Sequence, residues 1–167
     1  MNKATKIAVI ALVIVVGITV PIYSYTRQNA RTEGSIQIKG AVNSPGNFTY
    51  SQLEAFTPVT VTVTLSSSSH PADNGVFNYT GVRLSTLLEW AQIASNATSV
   101  YLQAADSYGT TIPLQDAKKE NTIIAYRKDG VALTPLSTGG EGPFRLIIGD
   151  DQYAQRWTRG VSVIEIR

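Results

Sequence analysis

Along Ser35 to Val42, Ile36, Ile38 and Gly40 alternate with Ser35, Gln37 and Lys39, the period-two signature of a half-buried strand. Asn43 to Gly46 then reads as a turn. Thr57 to Leu65 repeats the alternation with β-branched residues, setting Val59, Val61, Val63 and Leu65 on one face and threonines on the other, so it is the clearest strand of the chain. After Gly81 the period changes. Leu84, Leu87, Leu88 and Ala91 fall on one side of a short helix, with Glu89 and Gln92 turned outward and Asn96 or a neighbour ending it. Further short strands are predicted at Ser99 to Ala104, Thr110 to Pro113, Thr122 to Tyr126, Phe144 to Ile148 and Val161 to Ile166, with a tight Lys128-Asp129-Gly130 turn among them. Many strands and few helices make the expected fold class α+β.

The first part of the chain carries a different pattern. Lys3 and Lys6 precede an apolar run from Ile7 to Ile22, which reads as a signal peptide or a membrane anchor. Extended through Tyr25, the run makes a helix of roughly 28 Å, close to the thickness of a bilayer's hydrocarbon core. No small-x-small cleavage pattern follows it, and Tyr23 and Tyr25 suit the interface, so an uncleaved anchor is favoured over a cleaved signal. Residues 1–26 are therefore expected to be the anchor or signal. Residues 27–33, rich in polar side chains, form a tether, and 34–167 form one domain. The expected location is the cell membrane with the domain facing outward, or the exterior if the leader is removed. Sequons at Asn47, Asn78 and Asn96 give weak support to an exterior site.

Composition removes several classes of function. Four of the fourteen basic residues (Lys3, Lys6, Arg27, Arg31) precede Gly34, leaving ten against eleven acidic residues in the domain. A nearly neutral domain gives no support to nucleic-acid binding. The sequence contains no cysteine, so disulfides, zinc ribbons and iron–sulfur clusters are excluded. Ser69, His70 and Asp73 can be written as a triad, but residues this close in sequence rarely align a nucleophile, a base and an orienting group, and there is no nucleophile elbow.

The motifs also form an ordered set: Ile36 to Val42 with Pro45-Gly46; Thr60 to Leu65; Tyr79-Thr80-Gly81-Val82-Arg83-Leu84; Asp106-Ser107-Tyr108-Gly109; Ala125 to Gly130; Gly139-Gly140-Glu141-Gly142-Pro143-Phe144-Arg145; and Arg156-Trp157 before a hydrophobic strand. In this order they resemble the molybdopterin-binding domain of the sulfite oxidase family. The resemblance implies a compact β-rich domain with a few short helices, preceded here by the transmembrane or signal helix. It further implies a molybdenum pterin cofactor, held in relatives by a cysteine thiolate on the loop after the strand matching Thr60 to Leu65. This chain has Ser66 to Ser69 there; a serine hydroxyl ionises far less readily than the soft, strongly donating thiolate, although serine does ligate molybdenum in a different enzyme family, so the substitution alone does not forbid a metal.

By the same resemblance, the residues at the cofactor position are Ser69 and His70 on that loop, Tyr108, Arg145, Arg156 and Arg159. No catalytic or metal-binding residue is assigned. Each candidate has a second reading. The serines and His70 also suit a surface loop. Arg145 also suits an internal ion pair with a carboxylate, and Trp157 suits the core. Asp106 is expected to accept backbone hydrogen bonds in its turn, where Ser107 replaces the family's glycine, a change tolerated if that position does not demand positive φ. Two functions remain open: an anchored module that binds a small molecule or a protein without turnover, and a molybdenum-pterin oxidoreductase, or a subunit of one, with a non-cysteine ligand. Convergence of the candidates on one site would favour binding, and their dispersal a plain scaffold.

Overall fold

The computed structural model describes residues 34–66, 74–151 and 154–167. The expected anchor and tether, and with them Ser69 and His70, lie outside the described residues. Among the described residues, no helix is long and apolar enough to cross a membrane.

The described residues form ten strands and three short α-helices, besides two 3-10 turns: β1 (Ser35–Gly40), β2 (Gly46–Thr49), α1 (Tyr50–Glu54), β3 (Val59–Leu65), β4 (Gly75–Arg83), α2 (Leu84–Trp90), β5 (Ser99–Ala104), β6 (Gly109–Pro113), α3 (Leu114–Ala117), β7 (Thr122–Lys128), β8 (Val131–Ala132), β9 (Arg145–Ile148) and β10 (Val161–Ile166). The first sheet has the order β2-β1-β10-β5-β6, with β1 and β10 parallel and the other pairs antiparallel. The second has the order β3-β4-β7-β8, with β9 also paired to β7. Buried side chains of both sheets and all three helices join in one contiguous core.

Local chemistry explains the elements. Ile36 and Ile38 of β1 are buried while Gln37 is exposed, as alternation requires. β7 and β9 are instead buried on both faces, from Thr122 through Tyr126 and across Arg145–Ile148. The β7–β8 hairpin turns through Asp129 and Gly130, both at positive φ, the conformation that an Asp-Gly pair adopts readily. α1 starts on a capping box in which the Thr49 hydroxyl and the Gln52 side chain each take the other's backbone N–H.

α2 buries Leu84, Leu87 and Leu88 as predicted, but it stops at Trp90, well before Asn96. Gln92 has a φ of 52°, and the Ala91 and Gln92 carbonyls accept the Ser44 and Asn43 N–H groups at 3.0 and 3.1 Å. The turn between β1 and β2 therefore takes the carbonyls that a longer helix would need for itself.

Candidate functional site

The segment 139–145 leads into β9, whose first residue is the most deeply placed charge of the domain. Arg145 is 2% exposed. Its guanidinium donates to the Tyr79 hydroxyl at 2.8 Å and forms an ion pair with Glu141. The carboxylate of Glu141 also accepts from Tyr79 at 3.0 Å and from Lys128 at 3.1 Å. Tyr79 and Trp157 each turn a ring toward the guanidinium, with centroids 5.4 and 5.6 Å away. Strands β4, β7 and β9 thus build this cluster together with the Trp157 segment.

Burial raises the Tyr79 phenol well above its usual value, and the Glu141 charge adds to the rise against the opposing pull of Arg145. Burial alone would also push Glu141 up, but the charges of Arg145 and Lys128 outweigh it and hold the carboxyl below its ordinary value. The cluster is therefore a tyrosine that stays protonated beside a carboxylate that stays ionised.

Arg156 is held in the same way by its own chain. It donates to Asp116 at 2.8 Å and to Asp151 through two nitrogens, one of them at 3.0 Å. Hydrogen bonds from Arg156 and Lys119 keep Asp116 below the usual carboxylate range. Arg159 is exposed, and its backbone bridges that of Arg145.

Tyr108 is 58% exposed at the β5–β6 turn. The Ala105 N–H donates to the Gly160 carbonyl at 3.0 Å, so this turn begins beside the Arg159-Gly160 segment. Asp106 accepts the Tyr108 N–H at 3.0 Å, the turn role expected for it. The tolerance expected of Ser107 needs correction: its φ is 72°, so a serine occupies the left-handed region that favours glycine.

The structure accordingly brings Arg145 and Arg159 together at β9 and sets the Tyr108 turn next to them. The internal ion pair is the reading of Arg145 that the contacts bear out, and Trp157 is 4% exposed, as a core residue should be. From sequence alone no site role falls to the partners of the two arginines, Tyr79, Glu141 and Lys128 around Arg145 and Asp116 and Asp151 around Arg156. Glu141 was legible in principle, lying four residues before Arg145 in the same motif.

A model of the oxidoreductase molybdopterin binding domain matches residues 24–167. This chain belongs to that family. Among solved structures, the sulfane dehydrogenase SoxCD from Paracoccus pantotrophus is similar in fold, with a TM-score of 0.69 and 22% identity over 81% of this chain. The match spans only 38% of that chain. No curated protein sequence matches.

The family implies a molybdenum pterin, and the residues here can be tested for it. The sequence has no thiolate ligand to offer, and the described residues contain no grouping of histidine and carboxylate side chains able to hold a metal ion. Arg156, which the resemblance puts at the cofactor position, already faces two carboxylates, and Arg145 faces one. An added anion would have to displace or approach those carboxylates. In these respects the described residues do not fit the family's cofactor. Three buried atoms beside the cluster, Arg145 Nε, Trp157 Nε1 and Thr158 Oγ1, do lack a hydrogen-bond partner among the described residues.

Proposed function

We propose that this chain is a non-catalytic member of the molybdopterin-binding family, an outward-facing module that binds a ligand or a partner protein rather than cycling a thiolate-held metal. Residues 1–26 anchor it in the membrane, 27–33 form the tether and 34–167 form the binding domain. The observation that carries this reading is internal pairing in a chain with no cysteine: of the three candidate guanidiniums, those of Arg145 and Arg156 are paired with Glu141, Asp116 and Asp151. Arg145, buried and already paired, has little to gain from a second anion.

Metal and pterin analysis tests the reading on the full chain purified in detergent from its native host, where the cofactor machinery is present. Molybdenum and pterin should both fall far below one per chain. Stoichiometric amounts of the two together would overturn the proposal and direct attention to Ser66 and the serines that follow it.

The oxidoreductase alternative draws on one specific observation, the three unpartnered donors around Arg145. Those donors suit any acceptor-rich ligand. Under the binding reading they would meet a small oxygen-rich molecule without redox turnover, and the same analysis separates the two.

A further inference from the structure

The edge of a sheet presents unpaired N–H and C=O groups, and proteins usually blunt such edges by shortness, charge, proline or a bulge. Four edge strands here are blunted or covered: β2 has four residues, β8 has two, β6 has five and ends on Pro113, and β9 has four and is met on its outer side by the backbone of Thr158 and Arg159. The remaining edge is β3, which runs seven residues, Val59–Leu65, with no charge, proline or glycine. It pairs with β4 along its whole length without a shift in register. No backbone hydrogen bond to a described residue occupies its other side.

The sequence of this edge is nearly symmetric about Thr62. Val61 and Val63 flank it, then Thr60 and Thr64, then Val59 and Leu65. If two copies lie antiparallel with Thr62 opposite Thr62, every threonine meets a threonine and every apolar residue meets an apolar one. Because side chains alternate with period two, the faces also agree. The exposed Thr60, Thr62 and Thr64 stay on one face, and the buried Val63 and Leu65 stay on the other.

Six or eight backbone hydrogen bonds would form, depending on which alternate residues point outward. Cross-strand threonine contacts would repeat a pattern already present inside the chain, where Thr60 bonds to Thr80 at 2.9 Å and Thr62 to Asn78 at 2.8 Å. Charge is matched as well, since an edge without charges brings no like pair together.

We propose that two copies of this chain join through β3, antiparallel about Thr62, so that their second sheets become one continuous sheet. The two-fold axis consumes both open edges, so assembly closes at two. Seven residues a side lie at the low end of interface sizes, and the dimer should dissociate on dilution through the micromolar range.

Sedimentation of the full chain in detergent, from about 1 to about 100 µM, reads the association. The wild-type chain should pass from monomer to dimer. Thr62→Lys, which sets two ammonium groups face to face on an exposed position, should weaken association at least about tenfold while lowering the melting temperature by only the few degrees that loss of the exposed Thr62–Asn78 bond costs. Thr62→Cys supplies a second readout. The chain has no other cysteine, so the new thiol can crosslink only to its counterpart, and directly opposed strand positions are near enough for a disulfide. Mild oxidation should crosslink it much faster than Thr111→Cys on β6. A chain that stays monomeric at the highest concentration, a dimer that survives Thr62→Lys, or equal crosslinking at the two positions would each overturn the proposal. So would open-ended polymers in place of dimers.

Discussion

Arg145 shows how a single buried charge constrains its surroundings. Removing one partner of a buried pair leaves the other unpaired in a medium that solvates it poorly, which costs about 3–5 kcal/mol. Glu141→Gln should therefore lower the melting temperature by roughly 10 °C. The double variant Glu141→Gln, Arg145→Met should recover part of that loss, and thermal melts of the two single variants and the double measure the coupling. Acid should act on the same contacts. Glu141 and Asp116 both have carboxyls held below their ordinary values in the folded protein. Both release protons more readily folded than unfolded, so the stability they add is present above the ordinary carboxylate range and is lost as the pH falls through their native values. Melts should change little from neutral pH to about 5 and then drop steadily toward about pH 3, and a flat profile there would refute the linkage. Ser107 offers the opposite kind of change. With its φ at 72°, Ser107→Gly should relieve backbone strain and stabilise the domain by up to about 1 kcal/mol, read as a rise in melting temperature.

Elements are where the sequence was most and least informative. β1, β3, β5 and β10 could be read because one face of each is buried more deeply than the other, and such strands write an alternating pattern. β4 could not be recognised as a nine-residue strand. Gly75, Asn78 and Gly81 interrupt its apolar positions, and its register with β7 shifts between Thr80 and Gly81. At that shift β4 and β7 come so close that a Cβ on Gly81 would collide with the Ile124 carbonyl and sit 2.6 Å from the Ala125 Cα. Gly81→Ala should thus destabilise the β4–β7 pair enough to be seen as faster amide exchange along both strands. α1 and α3 span five and four residues, too few for a helical period to emerge. The site divides on the same principle. The carboxylate that Arg145 needs lies within its own motif, whereas Asp116, which holds Arg156, lies forty residues away in sequence and nothing local announces it.

At the scale of the molecule, the family membership and the internally paired arginines describe a domain that keeps a cofactor-binding architecture while satisfying its charges from within. Its assembly has a peculiarity of order. β10 lies in the middle of the first sheet, parallel to β1 and antiparallel to β5, so it separates the β1–β2 pair from the β5–β6 pair. Both hairpins precede in sequence the strand that unites them, and the first sheet is continuous only through Val161–Ile166. The first sheet is consequently completed across a long sequence separation rather than piecewise, and closing it is the non-local step of this fold.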